Sequence, residues 1–469
     1  MFDRSPESAL AALAAHDGPL LVDLDETLYL RNSTEDFIDS AVPGLLALLL
    51  MKVLDAIKPW HWTGGAPTRD VWRVSLIMVL MPWTLWRWRR RVAERAAKFG
   101  NQPLLAALRA RPATAPAAAI ATVGFRSIVT PLVAAMRLPD ANISAARWFS
   151  CADRRRGKLR MLLDTLGADT VASAMVITDS TDDADLLAAC AQPLRVVWPD
   201  ARYRTALSDV YLPTEYLARI KRPGERYFVR GVLQDDFAYW VLTSVALAAH
   251  PLYHSAGLLL LLISFWAIYE RGYVDNDLVA RAYEQTPKLS PAFFNNPIAT
   301  PTWLPWLWAA ALATGGIAVL RLPGRPQIAD FYKWAALLLS TYAWFKLYNR
   351  MDKGSRVWMF SVLQLARSAA FVVLVPVSLI GAVALEAHLF SRWVPYYVYR
   401  YGGKNWPDMQ PPLIRLTFYV VLAVLIALVQ GPGPLLNYTA LSLLVWTAFR
   451  ARREIVAAVK SAARIDTRR

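Results

Sequence analysis

Cysteine is nearly absent: the 469 residues include two, Cys151 and Cys190. Two thiols cannot build a disulfide framework or a cysteine-based zinc cluster. Histidine is almost as scarce, with five scattered residues. Only His250 and His254 stand four apart, the spacing of a metal pair on a helix, and no third ligand lies near them in sequence. Acidic residues are also short, with 36 Asp and Glu against 52 Lys and Arg, for a net charge of +16. There is no internal repeat and no low-complexity tract. The start, MFDRSPESAL, lacks a basic region followed by an apolar core, so no secretory signal is expected and the N-terminal part should stay in the cytoplasm. Hydrophobic residues are plentiful at 56%, with 19 Trp, which excludes a disordered or collagen-like chain. A positive excess can serve nucleic acid, anionic lipid or phosphorylated ligands. The apolar runs favour lipid and phosphate, and no nucleic-acid recognition motif is present, so no nucleic-acid partner is expected.

Residues 1–205 read as an α/β domain. Apolar strand candidates recur at Leu20–Leu24, Ala119–Val123, Met175–Thr178 and Leu194–Trp198, with alanine-rich helical stretches between them. Alternating signals of this kind imply a mostly parallel sheet. An insertion of about 90 residues, roughly 29–118, separates the first two strands. It carries AVPGLLALLLMKV and VWRVSLIMVLMPWTLWRWRRR, which are short for membrane spans. The alternating Trp and Arg suit a monolayer surface. A cap subdomain packing these faces on itself is the equal alternative. Residues 206–235 form a basic, aromatic connector. Apolar runs follow near 237–251, 255–270, 303–320, 332–347, 358–387, 413–430 and 434–450, and a basic tail occupies 451–469. These runs predict an all-α transmembrane bundle over 236–450 with about seven spans; Pro376 would kink or divide the fifth run. Positive-inside reasoning places the connector, the 346–356 loop and the tail in the cytoplasm with the α/β domain. Connector and tail on one side require an even number of spans, one away from seven. The chain is therefore expected to be an integral protein of the inner or plasma membrane.

The first candidate site lies at LVDLDETLYL. Asp23 and Asp25 follow a strand and share a face, at the edge where open α/β sheets bind ligands. One carboxylate can attack phosphorus while the other handles the leaving-group proton. Thr122 in IATVG, Lys158 in GKLRMLL, and Asp179 and Asp183 in VITDSTDDADLL follow in order. This order resembles the haloacid dehalogenase (HAD) superfamily, whose motifs are D-x-D-x-[TV], a strand-end Thr or Ser, a Lys, and an acidic pair. The resemblance covers about the first 200 residues and implies a phosphatase. Asp23 would be the nucleophile and Asp25 the general acid/base. Thr122 and Lys158 would hold the transferring phosphoryl group. Asp23, Asp25, Asp179 and Asp183 would surround Mg²⁺, with Asp182 a competitor of Asp183. Glu26 stands where many relatives have Gly.

The second candidate site borders the membrane. Asn276, Asp277 and Glu284 follow the second apolar run, and positions 277 and 284 would share a helical face. Lys346, Arg350, Lys353 and Arg356 would attract diphosphate or phospholipid. Arg367 falls inside an apolar run, where an ionisable residue is costly and functional by default. Arg392, Arg400, Lys404 and Asp408 follow the fifth run. This layout looks like the UbiA superfamily of polyprenyl transferases, and more narrowly like members with an N-terminal HAD domain and relatives of decaprenyl-phosphate phosphoribosyltransferase. KRPGERYFVR resembles the family's lead-in to its first span. Asn276-Asp277 sits where the family has N-D-x-x-D-x-x-x-D, and Tyr348 to Ala370 resembles its Tyr, Arg-x-Lys and Leu-x-x-Leu-Arg pattern. Two departures stand out: Ala280 replaces the second Asp and Glu284 the last.

The resemblance implies a helical bundle around a cavity that binds a Mg²⁺-diphosphate donor and a long isoprenoid. The leading expectation is a bifunctional enzyme of lipid-linked sugar assembly. It would transfer a phosphosugar, such as 5-phosphoribosyl from phosphoribosyl diphosphate, to polyprenyl phosphate, and the HAD-like domain would then dephosphorylate the product. One alternative is prenyl transfer from a prenyl diphosphate to a small or aromatic acceptor. The other is a lipid-phosphate phosphatase on a degenerate membrane anchor. A homo-oligomer is compatible with all three.

Overall fold

The structure, a computed structural model, describes residues 2–138, 141–295, 301–402 and 410–461. It divides into two compact units, Met1–Val210 and Tyr211–Arg469.

Unit 1 begins with α1 (Pro6–Ala14), capped by Ser5, whose hydroxyl accepts the Ser8 N–H. Strand β1 (Leu20–Asp23) is buried throughout, as a central parallel strand must be. The insertion then folds as α2 (Ser33–Asp39), α3 (Gly44–Ile57), α4 (Arg69–Leu80), α5 (Trp83–Phe99) and α6 (Gln102–Arg109). After it come β2 (Ala119–Phe125), α7 (Arg126–Ala135), β3 (Asn142–Ala146), α8 (Cys151–Leu166), α9 (Ala168–Ser173), β4 (Met175–Thr178), α10 (Ala184–Ala189) and β5 (Gln192–Arg195). The five strands are parallel, in the order β3-β2-β1-β4-β5. Leu21, Ala119, Ala121 and Val176 on the sheet pack against Leu162, Val171 and Leu186 on the helices.

Two strand expectations need correction. The last strand is Gln192–Arg195 rather than Leu194–Trp198, because its partner β4 ends at Thr178, which pairs with Arg195. Strand β3 was not foreseen. It is an edge strand of sequence NISAA with partly exposed positions, so it lacks the apolar run that marks a buried strand. Within the insertion, Arg73 makes a buried two-bond contact to Glu35 (2.5 and 2.9 Å), and Trp88 Nε1 donates to the Ile128 carbonyl (3.0 Å).

Unit 2 opens with two π-helical segments, Leu217–Lys221 and Phe228–Phe237. Its helices are α11 (Ala238–Ser244), α12 (Pro251–Tyr283), α13 (Pro291–Asn295), α14 (Leu304–Leu320), α15 (Ile328–Arg350), α16 (Arg356–Ala369), α17 (Leu379–Gly402), α18 (Pro411–Gln430) and α19 (Tyr438–Ser461). Leu258, Leu261, Phe265 and Trp266 of α12 join Trp240, Trp334, Phe371 and Ile380 in its core.

Among the described residues, three stretches are long and apolar enough to cross a membrane: Pro251–Tyr283, Arg356–Val373 and Pro411–Gln430. That is fewer than the seven apolar runs. The first run yields only α11 and a short turn before Pro251, and the fifth breaks at 374–378 around Pro376. Leu304–Leu320 is apolar but, at 17 residues, shorter. The remaining long helices carry ionic residues, such as Asp330, Lys333 and Lys346 in α15. Helix α18 turns most of its apolar surface outward, Leu428 and Val429 most of all.

Candidate functional site

The parallel sheet sets the site of unit 1. Register aligns Asp23 with Ala121 and Val22 with Ile177, so Asp23, Thr122, Thr178 and Asp179 all fall at the carboxyl edge of β1, β2 and β4. After Asp23 the chain turns sharply through Glu26, whose φ of 58° lies in the left-handed region. The turn closes with Tyr29 N–H donating to the Leu24 carbonyl (2.8 Å).

Asp23 is buried. Its Oδ1 lies 2.7 Å from Lys158 Nζ and accepts the Leu24 N–H (2.7 Å), while Oδ2 accepts from the Thr178 hydroxyl (3.1 Å). Lys158 also donates to Asp183 Oδ2 (2.7 Å), which lies 2.5 Å from the Thr178 hydroxyl. One ammonium and one hydroxyl thus bridge both carboxylates. Helix α8 makes this reach feasible: it breaks at Gly157 (φ 76°, ψ 173°), and Lys158 starts the second half on a new axis. Burial pushes the Asp23 carboxyl up to about 7, with Lys158 opposing and Asp183 and Asp179 reinforcing. For Lys158 burial works against the charge, but Asp23 and Asp183 outweigh it and hold the amine above the usual lysine range.

The other expected residues take separate partners. Asp25 Oδ1 accepts the Ser33 N–H (2.6 Å), and burial raises its carboxyl despite that bond. Asp179 Oδ1 accepts from the Thr27 hydroxyl (2.9 Å), and burial raises it too. Thr122 is buried with its hydroxyl accepting the Gly124 N–H (2.9 Å). Asp182 is exposed, whereas Asp183 is buried. Sequence reasoning missed Thr178, although it ends the strand just before the acidic pair. It also missed Arg154, which donates to the Val123 carbonyl (2.7 Å) and to Asp70 (2.9 Å).

The expected magnesium ligands do not converge on one point. Among the described residues no three His, Cys, Asp or Glu side chains are disposed to hold a metal ion. Asp25 and Asp179 are turned to Ser33 and Thr27, and Lys158 stands between Asp23 and Asp183. Charge and donor type nevertheless fit a hard divalent cation. Asp23, Asp179 and Asp183 are mutually repelling carboxylates around a single ammonium, and they offer only oxygen donors.

Unit 2 separates residues that helical spacing had grouped. Helix α12 ends at Tyr283, and Glu284 caps it in an extended conformation (φ −89°, ψ 133°), so the shared face of 277 and 284 is lost. Asp277 accepts from Tyr216 (2.8 Å) and pairs with Lys221. Glu284 instead pairs with Arg356 (3.0 Å) and Lys353 (3.3 Å). Asn276 is half-buried. Lys346 binds Asp275 (2.7 Å), Arg350 is exposed, and the Arg400 guanidinium lies over the rings of Tyr396 and Tyr399. Lys404 and Asp408 lie outside the described residues. His254 bonds Ser244 (2.8 Å) rather than forming a pair with His250.

A buried ionic hub takes their place; Arg367 and Arg392 were expected as site residues, whereas their partners Asp235 and Asp236, and Arg415 and Arg450, were not. Arg367 Nε donates to both oxygens of Asp236 (3.0 and 2.9 Å), Nη1 to the Tyr227 hydroxyl (2.9 Å) and Nη2 to the Gly231 carbonyl (3.2 Å). Asp236 also accepts from Trp266 (3.2 Å), with His388 Nε2 at 3.3 Å. Next to it, Asp235 accepts from Arg392 (2.8 Å), Arg415 (3.1 Å) and Arg450 (3.0 Å).

Comparison of the chain with family models, with curated proteins and with solved structures finds no match.

Proposed function

We propose that this chain is a membrane-anchored phosphatase of the HAD type, acting on a phosphorylated lipid or lipid-linked sugar. The observation that carries this reading is the Asp23–Lys158–Asp183 bridge at the carboxyl edge of a parallel sheet. Asp23 attacks phosphorus, and the bond from phosphorus to the ester oxygen breaks. Asp25, whose burial favours the protonated form, delivers its proton to the departing oxygen. Asp25 then takes a proton from water, which attacks the aspartyl-phosphate and releases inorganic phosphate. Lys158 and Thr122 steady the phosphoryl oxygens. Asp23, Asp179 and Asp183 would hold Mg²⁺, which when bound neutralises charge on the phosphoryl group.

The buried hub favours a second, larger reading of unit 2. Four arginines, Arg367, Arg392, Arg415 and Arg450, face two aspartates, an excess of positive charge suited to the phosphate of a polyprenyl phosphate. In that reading unit 2 transfers a phosphosugar from a diphosphate donor to the lipid, and unit 1 removes the remaining phosphate at high effective concentration. Prenyl transfer through metal-bound diphosphate has less support, because Asp277 and Glu284 are each neutralised by their own cations.

The test uses purified protein with a chromogenic phosphomonoester, and separately with polyprenyl phosphate and labelled phosphoribosyl diphosphate. Hydrolysis lost in Asp23→Asn supports the phosphatase, and hydrolysis retained in that variant rejects it. Labelled lipid, lost on Arg392→Met, supports the transferase; no labelled lipid rejects it and leaves the anchored phosphatase.

A further inference from the structure

We propose that α3 and the start of α5 form a lipid-docking face on unit 1, and that its occupant is an anionic membrane monolayer. Helix α3 is apolar on two sides. Ala47, Leu48, Met51 and Leu54 face inward and are buried. Val42, Leu45, Leu46, Leu49, Val53 and Ile57 point outward, with Leu49 42%, Val53 53% and Ile57 55% exposed. At 3.6 residues per turn the five within the helix, Leu45 to Ile57, fall within an arc of about 120°, and Val42 lies just before its start. A helix facing only water carries polar residues on that arc.

The stripe continues onto the next elements. Trp83 Nε1 donates to the Val42 carbonyl (2.7 Å), which joins the start of α5 to the start of α3. There Trp83 and Trp86 are exposed, beside Val79 and Leu80 at the end of α4. One exposed apolar side chain is ordinary, but a run of them on adjoining elements marks an interaction surface.

The rim selects the partner. Residues 41–100 hold ten Lys and Arg and three Asp and Glu. Arg89, Arg90 and Lys58 are exposed, and the Arg90 guanidinium sits 3.5 Å over the Trp86 ring. An apolar stripe edged by Trp and Arg matches the boundary between acyl chains and anionic headgroups. A second copy would bring an equally basic rim against this one, and like charges would repel. At 14 residues α3 extends about 21 Å, too short to cross a bilayer, so it lies along the surface. The same chain carries helices long and apolar enough to enter a membrane, which keeps lipid within reach. None of this depends on the chemistry proposed for Asp23.

The full chain can be tested after reconstitution at one copy per nanodisc, in phosphatidylcholine with and without phosphatidylglycerol. With Cys151 and Cys190 replaced, an environment-sensitive fluorophore is attached at Leu49→Cys or Trp86→Cys, with exposed Asp164→Cys on α8 as control. Spin-labelled lipid should quench positions 49 and 86 about threefold or more above position 164, and more strongly with phosphatidylglycerol. Adding Leu46→Glu and Leu49→Glu should lower quenching at Trp86→Cys while thermal unfolding in detergent stays unchanged, because both positions are exposed. Quenching at 49 and 86 no greater than at 164 overturns the proposal. So does quenching that the glutamates leave intact. Probe burial that appears only at high protein concentration in detergent would assign the face to a second copy instead. Hydrolysis of a soluble phosphomonoester by the glutamate variant should match the parent, which keeps this test separate from the phosphatase reading.

Discussion

Replacing Arg367 by Met should destabilise unit 2 severely. The guanidinium makes four hydrogen bonds, two of them to a carboxylate with no solvent exposure. Its loss leaves Asp236 buried with Trp266 and His388, and strands the Tyr227 hydroxyl and the Gly231 carbonyl. Breaking a buried ion pair by removing one member costs about 3–5 kcal/mol, most of it the penalty for the orphaned charge. At roughly 2–4 °C per kcal/mol for a unit of this size, apparent Tm falls by about 10 °C. Tryptophan fluorescence during heating in detergent measures this. The decisive comparison is Arg367→Met with Asp236→Asn. Removing both charges takes away the orphan, so the double variant should recover at least about half of the loss, a coupling of 1–3 kcal/mol. A double variant as unstable as the sum of the two singles would refute the reasoning, as would a single variant within about 1 °C of the parent.

Lys158→Met removes the group that bridges Asp23 and Asp183, and should lower phosphomonoester hydrolysis by about 10²–10³-fold, read as kcat in steady-state assays. Chelation of divalent cations should abolish hydrolysis, and calorimetry should show Mg²⁺ binding that Asp183→Asn weakens; equal binding by both proteins would exclude Asp183 as a ligand. The hydrogen bonds of Arg147 hold the Asp153 carboxyl down to about 2, so its contribution to unit 1 is complete above the ordinary Asp range near 4 and is lost as pH falls through about 2. Asp153→Asn should therefore be less stable than the parent at pH 7, with the gap closing toward pH 2; a gap that is constant with pH would contradict the ion-pair account.

The sheet was largely legible because β1 and β4 are short apolar runs ending in polar residues and β2 is apolar apart from Thr122 and Gly124, and burial on both faces writes that pattern directly. Strand β3 was not, since an edge position tolerates Asn and Ser. Asp23, Lys158 and Asp183 could be picked out by type and order, but the shared contact of Thr178 with both carboxylates arises only when β4 pairs with β1. Asp235 closes and Asp236 immediately follows a stretch that reads as a basic, aromatic connector, and their arginines come from more than 130 residues away, so no local pattern could pair them. Glu284 misled for the opposite reason: regular spacing was extrapolated one residue past the end of α12.

Gly157 has no functional group to delete, so a survey that strips charged side chains one by one would pass over it. No atom beyond its own local stretch of chain lies within 4 Å of where a Cβ would sit, yet its φ of 76° is one that alanine resists. Adding a methyl would rotate the turn that follows and draw the ammonium at 158 away from both carboxylates together. On the proposed phosphatase reading, a chain altered at 157 would retain every chemically competent residue and still behave like one that had lost its lysine.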